Sequence, residues 1–182
     1  LLAGLMPYLE RDEPELYIWM FYNAWAACYR EELNAMVEHP LPFPGFSNAA
    51  NFKTSDQANA VSWLRSMFVY AEDGLLHLGR AIPRAWFGQQ EPFEARDVVT
   101  YFGRAGVRYR ADEEHDALHA TAWLDLAEAP PRLLLRFRHP EKKPIAQVLV
   151  DGAPHPAADA ERGDVDLTGK SGTVQVTARY ET

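Results

Sequence analysis

The apolar positions change their period once along the chain, near residue 75. Before that point they recur three and four apart, as in helices; after it they alternate, as in strands. Asp12-Glu13-Pro14-Glu15 opens the first clear helix. Asp12 can cap it, Pro14 suits its first turn, and Glu15 stands three residues past the cap. The pattern predicts a helix from about Glu13 to Val37, with Leu16, Met20, Trp25, Cys28 and Leu33 near one side. Ile18, Trp19, Phe21, Tyr22 and Tyr29 spread round the rest, and a helix apolar on most sides is expected to be buried on most sides. Residues 38–53 break the pattern. Pro40, Pro42 and Pro44 forbid a helix there, and Phe43 and Phe46 give the segment the aromatic content of an ordered loop. Thr54-Ser55-Asp56-Gln57 starts a second helix, with Thr54 and Gln57 in capping-box register and Ser55 as the competing cap. It continues through Ala60, Val61, Trp63, Leu64, Met67, Phe68 and Ala71, and Asp73-Gly74 is read as its end.

The stretch Leu75–Phe87 is where helices hand over to strands, and it is read as the first strand of a β-domain. Alternation follows at Val107, Tyr109 and Ala111, at Leu118 to Leu126, at Leu133, Leu135 and Phe137, at Val148–Val150 and at Val174 to Tyr180. Asp151-Gly152 is a hairpin turn signal. Short strands at this spacing with polar turns predict an antiparallel β-sandwich. The expected class is therefore α+β, with a helical segment over 1–74 and a sandwich over 75–182.

Composition narrows the picture. The 182 residues are 47% hydrophobic and 24% charged, enough apolar material for a core. The net charge is −8 and no Lys/Arg stripe carries interleaved aromatics, so nucleic acid and anionic membrane surfaces are not expected partners. Cys28 is the one cysteine, so no intrachain disulfide forms, and no Cys/His spacing asks for a metal. A single thiol leaves the compartment open. The chain starts in an apolar run, Leu1-Leu2-Ala3-Gly4, without Met, as expected of a piece of a longer protein.

One order of motifs adds a resemblance. A helix is followed by Glu38-His39-Pro40-Leu41-Pro42, then Phe52-Lys53-Thr54-Ser55-Asp56, a second helix and Leu78-Gly79-Arg80-Ala81-Ile82-Pro83-Arg84-Ala85-Trp86. After these come Thr100-Tyr101-Phe102-Gly103, Leu135-Arg136-Phe137-Arg138-His139-Pro140 and Val148-Leu149-Val150-Asp151-Gly152. The sequence resembles the C-terminal region of bacterial six-hairpin glycosidase-like proteins. The resemblance implies that residues 1–74 are the last hairpin of an (α/α)6 toroid and that a β-sandwich buttresses it. It implies a carbohydrate substrate, a partner in the missing N-terminal helices of the parent chain, and a parent for which periplasm or exterior is one option; the residues themselves show no Gly-rich phosphate loop or dinucleotide fingerprint, so no cofactor is expected. Most of the toroid is absent, so the fragment is not expected to be active alone.

Glycoside hydrolysis needs two carboxyl groups across the scissile bond. Glu38 and Asp56 are the candidates, because they fall at a helix end and a helix start beside the loop. The plainer readings are a solvated helix-end residue for Glu38 and macrodipole complementarity for Asp56. His39 could bond a sugar hydroxyl or cap the preceding helix, the cap being preferred. Lys53 could meet a substrate carboxylate or simply be exposed. Trp25, Trp63, Phe43 and Phe46 could stack on a sugar ring, although at helical spacing Trp25 and Trp63 more often belong to a core. Arg132, Arg136 and Arg138 form a basic row; phosphate or uronate binding competes with edge protection or cross-strand pairing, and the last two are preferred. A rival reading is a non-catalytic module, a β-sandwich binding glycan or protein with a helical anchor. Trp123, on the polar side of its strand, keeps that reading open.

Overall fold

The computed structural model describes residues 4–37, 54–112 and 116–181. The chain divides into two compact units, Leu1–Arg65 and Ser66–Thr182.

In the first unit a short helix α1 (Met6–Glu10) leads into α2 (Pro14–Cys28). Pro14 occupies the first turn, where a missing N–H leaves no hydrogen bond unmade. Asp12 does not cap α2; it sits before it at a left-handed φ of 58°. The buried face of α2 is Tyr17, Phe21, Ala24 and Cys28, a step from the expected stripe and sharing Cys28 with it. The offset has a cause. The Tyr17 hydroxyl donates to the Trp63 carbonyl at 2.9 Å, which turns that side of α2 toward α3 (Thr54–Phe68). All-round burial does not hold: Leu16 is 46%, Trp19 63% and Tyr22 47% exposed. Nor does α2 reach Val37. It stops at Cys28, and β1 (Tyr29–Arg30) pairs antiparallel with β2 (Ala35–Met36) around a 3₁₀ turn, Glu31–Leu33. Asn34 ends that turn at φ 48°, a conformation Asn tolerates, and the Tyr29 hydroxyl donates to its side chain.

In the second unit the strands begin earlier than the alternation predicts. After Phe68 the chain forms β3 (Val69–Glu72), turns at Asp73-Gly74 and returns as β4 (Leu75–Leu78). Both turn residues have positive φ, 49° and 78°, so this Asp-Gly pair closes a hairpin rather than ending a helix. Only four residues of Leu75–Phe87 are strand. Gly79, at φ 75°, breaks it, and after Pro83 the chain forms a single helical turn α4 (Arg84–Phe87).

Nine further strands follow: β5 (Phe93–Thr100), β6 (Gly103–Asp112), β7 (Ala117–Leu126), β8 (Arg132–Arg136), β9 (Ile145–Val150), β10 (Ala153–His155), β11 (Ala157–Asp159), β12 (Asp164–Asp166) and β13 (Gly172–Tyr180). They form a six-stranded sheet, β10-β9-β13-β7-β6-β5, and a five-stranded sheet, β11-β12-β8-β4-β3. The larger sheet is antiparallel throughout, and Asp151-Gly152 turns β9 into β10 as its sequence predicts. The smaller one holds a parallel pair, β4 with β8. The reason is topological: β5, β6 and β7 lie between them in sequence and go to the other sheet, so β8 returns alongside β4.

Alternation places Ala105, Val107 and Tyr109 of β6, Ala120, Ala122 and Leu124 of β7, and Val174, Val176 and Ala178 of β13 on one buried face. Each Val or Leu so buried contributes about 1.5–3 kcal/mol. An aromatic cluster continues this core, with Tyr109 touching Phe87, Phe93 and Phe137 at centroid distances of 5.1, 5.5 and 5.7 Å. Tyr109 also presses on the bend after β4: a Cβ at Gly79 would collide with its hydroxyl and stand 2.8 Å from the Arg136 carbonyl. The class is α+β, dominated by strand.

Candidate functional site

Of the sequence candidates, Glu38, His39, Phe43, Phe46 and Lys53 lie outside the described residues. Asp56 is in the first turn of α3 and is 6% exposed. Its Oδ2 has no hydrogen-bond partner. A buried carboxylate oxygen left without a donor is costly, because water solvation is lost with nothing in return. Asp56 thus stands where its charge suits the helix macrodipole, and it is buried there. Its charge is felt locally: burial first, then Asp56, push the Cys28 thiol up, so that cysteine is a poor nucleophile. Trp25 is half-buried, the middle ring of a ladder in which Phe21 lies 5.5 Å away on one side and Tyr29 stacks at 5.5 Å on the other. Trp63 is a core residue at 3% exposure.

The second unit holds a buried ionic cluster that the sequence only half announces. The Arg136 guanidinium grips Asp164 through two bonds, Nε to Oδ1 at 2.6 Å and an amino nitrogen to Oδ2 at 2.7 Å. β8 and β12 place these residues directly opposite each other, so the preferred cross-strand reading of this arginine is the observed one. Arg138 is likewise buried, donating to the Ile82 carbonyl at 2.6 Å. Arg84 donates to the His139 carbonyl at 2.9 Å. The motif arginines thus tie Leu78–Trp86 to Leu135–Pro140 and are structural. Arg132 stays exposed at the start of β8.

His77 completes the cluster, fully buried. Arg80 donates to its Nδ1 at 2.8 Å, so the ring proton belongs on Nε2, which stands 3.3 Å from Asp164 Oδ1. That contact falls short of hydrogen-bond geometry. Burial, with the charges of Arg136 and Arg80, outweighs the pull of Asp164 and drives the imidazole down to about 4. For Asp164 burial acts upward, but the Arg136 and His77 contacts together hold it well below the usual carboxylate range. A neutral histidine between two arginines and an aspartate, closed to solvent, is a folding element rather than a proton-transfer pair. No sequence signal marked Asp164, and His77 was concealed in an apolar run.

The surface concavities include two lined by charged side chains. A cavity of about 130 Å³ is lined by Phe87, Asp112, Asp116, Leu118 and His139. In it Asp116 bridges His139 at 3.2 Å and Lys143 at 2.8 Å, and its carboxyl is held low chiefly by the lysine. A larger concavity, about 290 Å³, lies on the solvent face of β6, β7 and β13 and is lined by Arg108, Arg110, His119, Thr121, Gln175 and Thr177. Near it Trp123 is not a bare platform: the Arg96 guanidinium covers its ring at 4.0 Å. Among the described residues no group of three His, Cys, Asp or Glu is arranged to hold a metal, and no helix is long and apolar enough to cross a membrane.

No family model matches the chain, and no curated protein matches it. A solved structure described as "Glycoside hydrolase" is similar with a TM-score of 0.40 and 12% identity, over 82% of this chain and 23% of that one. The chain thus spans under a quarter of that protein's length.

Proposed function

We propose that the chain is the C-terminal part of a carbohydrate-active enzyme of the glycoside hydrolase type. Its helices belong to the last hairpin of an (α/α)6 toroid, and its two sheets form the β-sandwich that buttresses it. The observation that carries this reading is the unburied apolar face of the helical unit. Leu16, Trp19 and Tyr22 repeat every three residues along one side of α2, and α3 adds Val61 at 68% and Leu64 at 37% exposure. Large apolar side chains repeated along a helix face belong under another surface, and the neighbouring helices of a toroid are that surface. The contact of Tyr109 with Gly79 and Phe137, which join strands of different sheets, supports the sandwich.

In this reading Asp56 faces the cleft with Glu38, and His39, Lys53, Phe43 and Trp25 serve the substrate. One carboxyl protonates the leaving oxygen while the other activates water. The test is hydrolysis of a panel of aryl glycosides and polysaccharides by the parent protein. Release of sugar from a member supports the reading, and inertness on every member overturns it.

A second reading, a non-catalytic sandwich that binds glycan or protein, draws support from the polar concavity on the larger sheet. A flat aromatic platform at Trp123 does not support it, because Arg96 occupies that ring.

A further inference from the structure

We infer that the solvent face of the six-stranded sheet binds an acidic oligosaccharide, a run of sugars bearing carboxylates, through Arg108 and Arg110 and the row His119, Thr121, Gln175 and Thr177. The inference rests on the carbohydrate reading above and adds the charge class of the ligand and a site remote in sequence from Asp56.

Strand register builds the site. Arg108 stands opposite Thr121, which stands opposite Gln175; Arg110 stands opposite His119, which stands opposite Thr177. Two ranks of three polar side chains therefore cross three adjacent strands, a patch about 10 Å wide. They line one concavity of about 290 Å³. Their partners on the inner side, Val107, Tyr109, Ala120 and Val176, are core residues, so the backbone beneath the site is rigidly held.

Charge selects the ligand. The chain as a whole is acidic, at −8, yet this face gathers exposed arginines, Arg108, Arg110 and Arg179, beside two carboxylates, Glu94 and Asp112. Glu94 pairs with Arg108 at 3.7 Å but is shared with Arg96, which it meets at 2.9 Å. Asp112 stands 3.5 Å from His119 Nε2. Arg110 and Arg179 are both exposed. Burial first, then the Arg110 charge, push the His119 imidazole down; Asp112 pulls it up and Arg179 adds a smaller push down. An anion is what such a face lacks.

Hydrogen bonding points to a ligand rich in hydroxyls. The Thr121 hydroxyl donates to Gln175 Oε1 at 2.9 Å, which leaves the Gln175 amide N–H groups as donors toward solvent. His119 Nδ1 and the Thr177 hydroxyl share a 3.0 Å bond, so both are held in place. Because Arg96 covers Trp123, ring stacking does not drive binding here, and recognition falls to the arginines and the fixed polar row.

The experiment is titration calorimetry of this chain with a galacturonate oligomer, beside the same oligomer with its carboxyls reduced and beside polyaspartate of similar charge. The expected result is binding to the uronate at least about tenfold tighter than to either comparator, weakening as salt is raised. The R108Q/R110Q double variant should bind at least about tenfold more weakly with an unchanged melting temperature, since both side chains are exposed. Equal binding of the carboxyl-reduced oligomer, equal binding of polyaspartate, no uronate binding, or an unaffected double variant would each overturn the inference. These failures are separable from failure of the enzyme reading. A parent that cleaves a glycan while this face ignores uronate leaves that reading intact. Uronate binding by a parent without hydrolysis upholds the site and removes the enzyme.

Discussion

Acid should weaken the β unit through His77, by an amount the structure sets. In the unfolded chain an imidazole titrates near 6.5; in the fold His77 titrates at about 4, chiefly because it is buried. Between those values the unfolded chain binds a proton that the folded chain does not, so stability falls as pH falls. Above about pH 6.5 neither form is protonated and His77 confers no pH dependence. Going from about pH 7.5 to about pH 4.5, the linkage relation gives a loss of about 2.5 kcal/mol. The groups facing His77 do not blur this window. Arg80 and Arg136 stay charged, Burial pushes Tyr109 upward, out of the acid range, and Asp164, held low, begins to cost stability only below its unfolded value near 3.9. The assay is urea unfolding of wild type and His77→Gln at both pH values, followed by far-ultraviolet circular dichroism. The His77→Gln chain should lose about 2.5 kcal/mol less than wild type between them. An equal loss in the two proteins, or an imidazole signal for His77 titrating above about 6 by NMR, would refute the placement of a neutral histidine in this cluster.

Three further outcomes follow from the same core. Gly79→Ala combines a left-handed φ with a collision against the Tyr109 hydroxyl, and should cost about 2–4 kcal/mol in chemical denaturation; a change under about 1 kcal/mol would show that the bend relaxes freely. Tyr109→Phe should be neutral or stabilise by up to about 1 kcal/mol, since its buried hydroxyl has no partner; a clear loss in melting temperature would reveal a hidden one. Arg136→Met should cost about 3–5 kcal/mol by leaving Asp164 buried without its fork, and adding Asp164→Leu should recover most of that; a double variant as weak as the single would contradict the pairing.

The sequence announced the β unit better than the helical one, for physical reasons. In β6, β7 and β13 one face is core and the other is solvent, so the period of two is written directly into Val107, Tyr109, Leu118 to Leu124 and Val174 to Tyr180. The buried β8 broke that rule: Leu133 to Arg136 are buried on both faces. Its apolar run was still legible, but its parallel partner was not. Asp73-Gly74 was misread because an Asp-Gly pair serves a helix end and a tight hairpin equally, and β3 before it is too short to declare a period. Along α2 apolar residues face every direction, so the pattern could not choose between Leu16 and Tyr17 as the buried side; the Tyr17–Trp63 bond made that choice. Asp56 was legible as a helix-start carboxylate, whereas its burial was not. The Arg136–Asp164–His77 cluster joins residues far apart in sequence, and only the arginine stands out in the strand pattern.

The most direct measurement is the turnover of the parent protein on a glycan it cleaves, wild type beside Asp56→Asn. Asparagine keeps the shape of the side chain and removes a charge with an unpartnered buried oxygen, so the variant should melt at or above the wild-type temperature. If the cleft reaches this chain, its turnover should nevertheless fall by about 100-fold or more, the scale of a lost general acid or base, and Glu38→Gln should fall likewise. Turnover within about twofold of wild type in both variants would contradict the placement of catalytic carboxylates here and leave the chain as scaffold.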